Sequence, residues 1–174
     1  MDSQTALQTA EELLKPYAME MIKQEEDFRL DVLLSPDQLH EAVKALHDAR
    51  WGYLSAIAGV DHPAPVISED ANASGTVQEK GKESQVEVLY VFCQGAAVLV
   101  LRVKVPYTHA ELPTVCDLIP SATLYERELM EMFGVEIHGT PVKDRLLLPD
   151  EWPEGVYPLR KATIIGTTRS GSEE

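Results

Sequence analysis

Apolar side chains recur at helical spacing at the start of the chain: Ala6, Ala10, Leu13, Leu14, Tyr17 and Met21 mark a helix over residues 5–23, with Pro16 as a break or kink. The period then drops to two. Phe28, Leu30, Val32 and Leu34 alternate with Asp27, Arg29, Asp31 and Leu33, which predicts a strand with one buried face. Ser35-Pro36-Asp37-Gln38 has the composition of a helix start, with Ser35 as N-cap, Pro36 at the first helical position and Gln38 closing a capping box. Leu39, Ala42, Val43, Leu46 and Ala49 follow as one apolar stripe, and Gly52 stands where a left-handed cap is expected.

Residues 53–60 read as a second strand, and residues 62–84 form a polar insert of mobile-loop composition. Residues 86–92 and 97–105, separated by Cys93-Gln94-Gly95-Ala96, predict a hairpin of β-branched strands. Helical character returns over 121–133, with Gly134 as its cap, and no regular structure is expected beyond it. This order predicts an α+β fold: a two-layer domain, helices packed on a mixed four- to five-stranded sheet, followed by an extended proline-rich C-terminal arm. The domain spans 1–136 with its loop insert at 62–84, the arm spans 137–161, and 162–174 is a small, polar tail of disordered composition.

The arm combines two properties that conflict. Four of the eleven prolines lie in it, at 141, 149, 153 and 158, which forbids helix and disfavours a central strand. Yet Leu146, Leu147, Leu148, Trp152, Val156, Tyr157 and Leu159 are large and apolar. Burying half of them stabilises by several kcal/mol at roughly 25 cal/mol per Å², so the arm is expected to lie along another protein with these side chains as anchors. Wrapping over its own domain is the alternative. Lys143, Arg145, Arg160 and Lys161 concentrate positive charge here and would orient the arm against acidic groups of a partner.

Charge and composition narrow the function further. With 29 acidic against 15 basic side chains the formal charge is -14, which repels phosphate backbones and argues against a nucleic-acid partner. The longest purely apolar run, from Ala96 to Leu101, is far shorter than the roughly 20 residues of a spanning helix, and the first residues lack the marks of a signal peptide, so no membrane insertion is expected. Cys93 and Cys116 are expected as reduced thiols, too few for an iron–sulfur cluster. The five histidines, at 40, 47, 62, 109 and 138, are scattered, without H-E-x-x-H or zinc-ligand spacing, and no glycine motif for a nucleotide is present. No catalytic, cofactor-binding or metal-binding residue is therefore expected.

Tyr125-Glu126-Arg127-Glu128-Leu129-Met130-Glu131-Met132-Phe133-Gly134 resembles the E-R-E-x-x-D/E-hydrophobic-F/Y-G signature of the C-type subunit of NADH:quinone oxidoreductase, respiratory complex I. Downstream, Gly139-Thr140-Pro141, Arg145-Leu146-Leu147-Leu148-Pro149-Asp150-Glu151-Trp152 and Tyr157-Pro158-Leu159-Arg160-Lys161 are similar to further elements of that family, in the same order. Thr140 stands where the family usually has His, Asp144 where it has the first of two Arg, and Ala162-Thr163 where Asp-Tyr often follows.

The resemblance implies a non-catalytic structural subunit of the enzyme's hydrophilic arm, docked on the large quinone-site (D-type) subunit of complex I and on neighbouring iron–sulfur subunits. It implies a hetero-oligomer, peripheral on the cytoplasmic side of the cell membrane, with FMN, iron–sulfur clusters and quinone held by partner subunits. The residues it marks as motif and partner interface are Glu126, Arg127, Glu128, Glu131, Phe133, Gly134, Pro141, Arg145, Leu147, Pro149, Trp152, Pro158, Leu159, Arg160 and Lys161. On a helix, Glu126, Arg127, Glu128 and Glu131 are expected to lace one polar face while Met130 and Phe133 turn inward. One alternative host is a membrane-bound energy-converting hydrogenase, which has a homologous subunit. An alternative of another class is a free-standing enzyme using Glu126, Glu128 and Glu131 as acid–base groups.

Overall fold

The computed structural model describes residues 2–24, 28–64 and 83–161. The first helix, α1 (Ser3–Leu14), is shorter than its apolar pattern predicts, because the chain turns at Lys15-Pro16 and re-enters as a strand, β1 (Ala18–Gln24). Proline removes a backbone donor from the helix ladder, and the preceding residue is its last turn. Met21 thus belongs to a sheet edge rather than to a helix face. The expected 62–84 loop falls largely outside the described residues, as does the 162–174 tail.

β2 (Arg29–Leu34) leads through a 3-10 turn (Pro36–Gln38) into α2 (Leu39–Asp48). Ser35 makes no side-chain cap bond, so the expected capping box is absent. The C-terminus also differs from expectation. Arg50, at φ +53°, takes the left-handed position, with Arg50 N–H on the His47 carbonyl and Trp51 N–H on the Leu46 carbonyl, both at 2.9 Å, the paired bonds of a Schellman cap. Gly52 serves another purpose: a Cβ there would strike the Cys93 carbonyl at the end of the neighbouring strand.

β3 (Tyr53–His62), β4 (Gln85–Gln94) and β5 (Ala97–Pro106) complete a five-stranded mixed sheet of order β1-β2-β5-β4-β3, in which only the β2–β5 pair is parallel. The predicted hairpin is β4–β5, in register from Gln85 opposite Pro106 to Gln94 opposite Ala97. Register places Leu34, Val103, Val88 and Gly59 in one row across four strands. That row and its neighbours face the helices, and Ala6, Leu7 and Ala10 of α1, Leu39, Val43 and Leu46 of α2, and Leu129 and Phe133 of α3 (Ala122–Phe133) close the same core.

The other sheet face carries an ion network. Arg102 donates to Glu87 at 2.8 Å and to Asp31 at 3.3 Å, Arg29 also binds Asp31, and His62 lies 2.8 Å from Glu87. Burial pushes the Glu87 carboxyl up, but hydrogen bonds from Arg102 and His62 outweigh it and hold the group below the usual carboxylate range.

Two short strands were not legible in the pattern. β6 (Glu111–Pro113) and β7 (Glu136–His138) form a parallel pair flanking α3, so regular structure continues past Gly134 and the irregular segment begins after residue 138 rather than at 137. Ile137 is fully buried, part of the domain's own core. Three-residue strands carry too little alternation to be seen without their partner.

Candidate functional site

The motif lies on α3, and its spacing decides its geometry. Ala122, Glu126, Leu129 and Phe133 fall at i, i+4, i+7 and i+11, so Glu126 sits in the middle of the buried stripe at 0% exposure. The expectation that it laces a polar face is corrected. Its carboxylate accepts the Thr114 hydroxyl at 2.8 Å, the Val115 N–H at 2.8 Å and the Cys116 thiol at 3.1 Å, which fixes the loop between β6 and α3. Burial, with Glu126 alongside, pushes the Cys116 thiol above its ordinary range, so it stays protonated and donating. Both cysteines are free thiols, Cys116 buried and Cys93 partly so.

Arg127 and Glu131, one turn apart, reach over the irregular segment that follows β7. Arg127 donates Nε to the Asp144 carbonyl at 2.8 Å and Nη2 to the Arg145 carbonyl at 2.7 Å. Glu131 accepts the N–H groups of Leu146 and Leu147. One guanidinium and one carboxylate thereby satisfy one backbone group on each of four consecutive residues, in a stretch with no ladder of its own. Glu128 is exposed on the remaining side of the helix.

The end of the segment is held at the cap of α3. Gly134 adopts φ +63° with its N–H on the Met130 carbonyl, and a Cβ there would overlap the Tyr157 ring. Arg160 donates to the Phe133 carbonyl at 2.6 Å and to the Gly134 carbonyl at 3.3 Å, while its guanidinium stacks 4.2 Å from the Tyr107 centroid and 4.6 Å from that of Tyr157. Lys161 N–H reaches the Asp61 carboxylate at 2.8 Å, which also accepts the Tyr107 hydroxyl.

The remaining marked residues divide by exposure. Arg145 binds the Pro149 and Trp152 carbonyls within the segment, and Trp152 donates Nε1 to the Val156 carbonyl at 2.8 Å. The Lys161 ammonium donates to the Asp61 carbonyl. The basic groups of Arg145, Arg160 and Lys161 therefore each bind backbone carbonyls of this chain. Pro141 and Pro149 are exposed, Pro158 and Trp152 half-buried, and Leu148 packs on the core. Leu147 and Leu159 point outward at 60% and 48% exposure, and Leu124 of α3 is likewise exposed.

Sequence reasoning missed Thr114, Cys116, Tyr107 and Asp61, which serve the site from other elements. Only the stripe through Glu126 offered a signal. The carboxylates of Glu126, Glu128 and Glu131 do not converge: one is inside, one outside and one on the segment's backbone, which removes the geometric basis for the acid–base reading. His109 and His138, apart in sequence, both reach Glu111 at the β6–β7 pair, and His138 with Glu111 and Glu136 forms a cluster there.

Residues 32–169 match the family model described as respiratory-chain NADH dehydrogenase, 30 Kd subunit. The chain belongs to that family. The C-type subunit of NADH-quinone oxidoreductase from Roseiflexus castenholzii is 30% identical over 142 residues, covering 79% of this chain and 71% of the relative. Formate hydrogenlyase subunit 5 of Escherichia coli is 31% identical over 139 residues, 78% of this chain but 21% of that protein, so this chain spans about a fifth of that relative's length. Among solved structures, a chain of the membrane-bound sulfane sulfur reductase, an archaeal respiratory membrane complex, shares the fold at a TM-score of 0.70 and 21% identity, over 98% of this chain and 96% of that one.

Proposed function

We propose that this chain is a non-catalytic structural subunit in the hydrophilic arm of a proton-translocating NADH:quinone oxidoreductase, docked on the large quinone-site subunit and on neighbouring iron–sulfur subunits. The observation that carries this reading is how the motif is used. Arg127, Glu131 and Arg160 bind the chain's own backbone and so hold an irregular segment that keeps Leu147 and Leu159 outward. Rigidly presented, exposed leucines are what a docking surface requires, since little ordering entropy is lost on binding.

Electrons pass through FMN and iron–sulfur clusters of the partners to quinone, and this chain contributes rigid spacing. The proposed attachment is peripheral, on the cytoplasmic side of the cell membrane; among the described residues no helix is long and apolar enough to cross a membrane. A second reading places the same surface in a membrane-bound hydrogenase, supported by the match to formate hydrogenlyase subunit 5.

Purification of the tagged full chain from solubilised membranes, with mass spectrometry of what accompanies it, tests both readings. NADH-oxidising or nickel-hydrogenase subunits distinguish the hosts. The double variant Leu147→Asp, Leu159→Asp is expected to lose those partners while the isolated chain keeps its stability within about 0.5 kcal/mol per exposed site. Undiminished recovery of the complex with both aspartates in place rejects the docking surface.

A further inference from the structure

β6 and β7 pair in parallel with Glu111 opposite Glu136, Leu112 opposite Ile137 and Pro113 opposite His138. Leu112 and Ile137 are buried, so alternation puts Glu111, Glu136 and His138 together on the outer side. Two carboxylates facing each other across adjacent strands repel, and the arrangement calls for positive charge between them. The His138 imidazole is placed there, and His109 approaches Glu111 from its other oxygen. His138 Nε2 lies 2.9 Å from Glu111 and its Nδ1 3.8 Å from Glu136, while His109 Nδ1 lies 3.3 Å from the other Glu111 oxygen.

One ligand atom from each of Glu111, Glu136 and His138 lies within 4.8 Å of the others. A tetrahedral zinc-class ion, with its ligands at about 2.0–2.2 Å, wants donors roughly 3.3–3.6 Å apart, a gap that small rotations of exposed side chains close. Imidazole with carboxylate is a donor set for borderline divalent ions such as zinc. Glu111, His109 and His138 also line a cleft of about 650 Å³ with Pro36, Asp37 and His40, which leaves a coordination position open to water. The chain's net charge of -14 concentrates cations near it.

We propose that Glu111, Glu136 and His138, with water in the fourth position, form a binding site for a zinc-class divalent metal that clips β6 to β7. This inference does not depend on the docking reading. The ion would replace the His138–Glu111 contact and tie together the two strands that flank α3.

Full-length chain, stripped with chelator and titrated with Zn²⁺ by calorimetry and with Co²⁺ by visible absorption, tests the site. One ion per chain, a higher melting temperature on loading and the absorption bands of tetrahedral cobalt are expected. His138→Ala and Glu111→Gln each weaken binding roughly 10- to 100-fold, as loss of a ligand should, while His47→Ala leaves it unchanged. Circular dichroism shows whether a variant has folded, and Glu136→Gln supplies a second ligand variant should one fail. No saturable binding, or binding unmoved in folded His138→Ala and Glu111→Gln variants, overturns the site.

Discussion

The carboxylate of Glu131 accepts the backbone N–H of Leu147 at 2.8 Å, and that of Leu146 through its other oxygen. A side chain thus supplies the hydrogen bonds that a neighbouring strand would supply elsewhere, and it aims an exposed leucine outward.

Glu131→Ala is expected to free both amides while leaving the sheet intact. Charge-assisted bonds contribute about 1.5–3 kcal/mol when sheltered and less near solvent, so amide exchange at Leu146 and Leu147 should quicken about 10- to 100-fold. Global stability should fall by less than about 1 kcal/mol, because the segment lies outside the core. Exchange read by mass spectrometry distinguishes the two effects. Loss of the whole domain's protection in step with the segment would show that the two unfold together.

Glu126→Ala should cost far more. It leaves the Thr114 hydroxyl and the Val115 N–H without their acceptor inside the protein and opens a void beneath α3. About 2–4 kcal/mol is expected from the unsatisfied groups and the void, measurable as a lower urea midpoint. An unchanged midpoint would mean that the buried carboxylate is not what fixes the loop between β6 and α3.

Acid sensitivity should trace to Glu87. Its carboxyl is held below its ordinary value in the folded chain, so its contribution to stability is present above the unfolded value, about 4.3, and is lost as pH falls through the lower folded one. Arg102→Met removes the bond at 2.8 Å together with its charge and leaves burial opposed only by His62 and the Lys104 charge, so the carboxyl titrates higher. The variant's melting temperature should therefore begin to fall at a higher pH than the parent's on a series from pH 7 to 3. Parallel curves for the two proteins would remove Glu87 from the account.

The amino-acid order by itself determined those parts of the molecule whose signal is local. The α2 stripe, the β4–β5 hairpin, β3, and α3 with its Gly134 cap are written in periods of 3.6 and 2 over ten or more residues, and each appears close to its expected bounds. The motif was legible as a resemblance, and the proline-rich stretch as irregular. Tertiary structure alone decided the rest. Whether Glu126 laces a surface or holds a loop depends on Thr114 and Cys116, which its own helix does not contain. Whether Arg160 meets a partner or stacks on Tyr107 depends on where the end of β5 leaves that ring. β6 and β7 exist because each supplies the other's hydrogen-bond partners, and they bring His109 and His138 to Glu111, a meeting no spacing along the chain encodes. Patterns record which face of an element is buried, whereas polar pairing across elements is set only when the chain closes on itself.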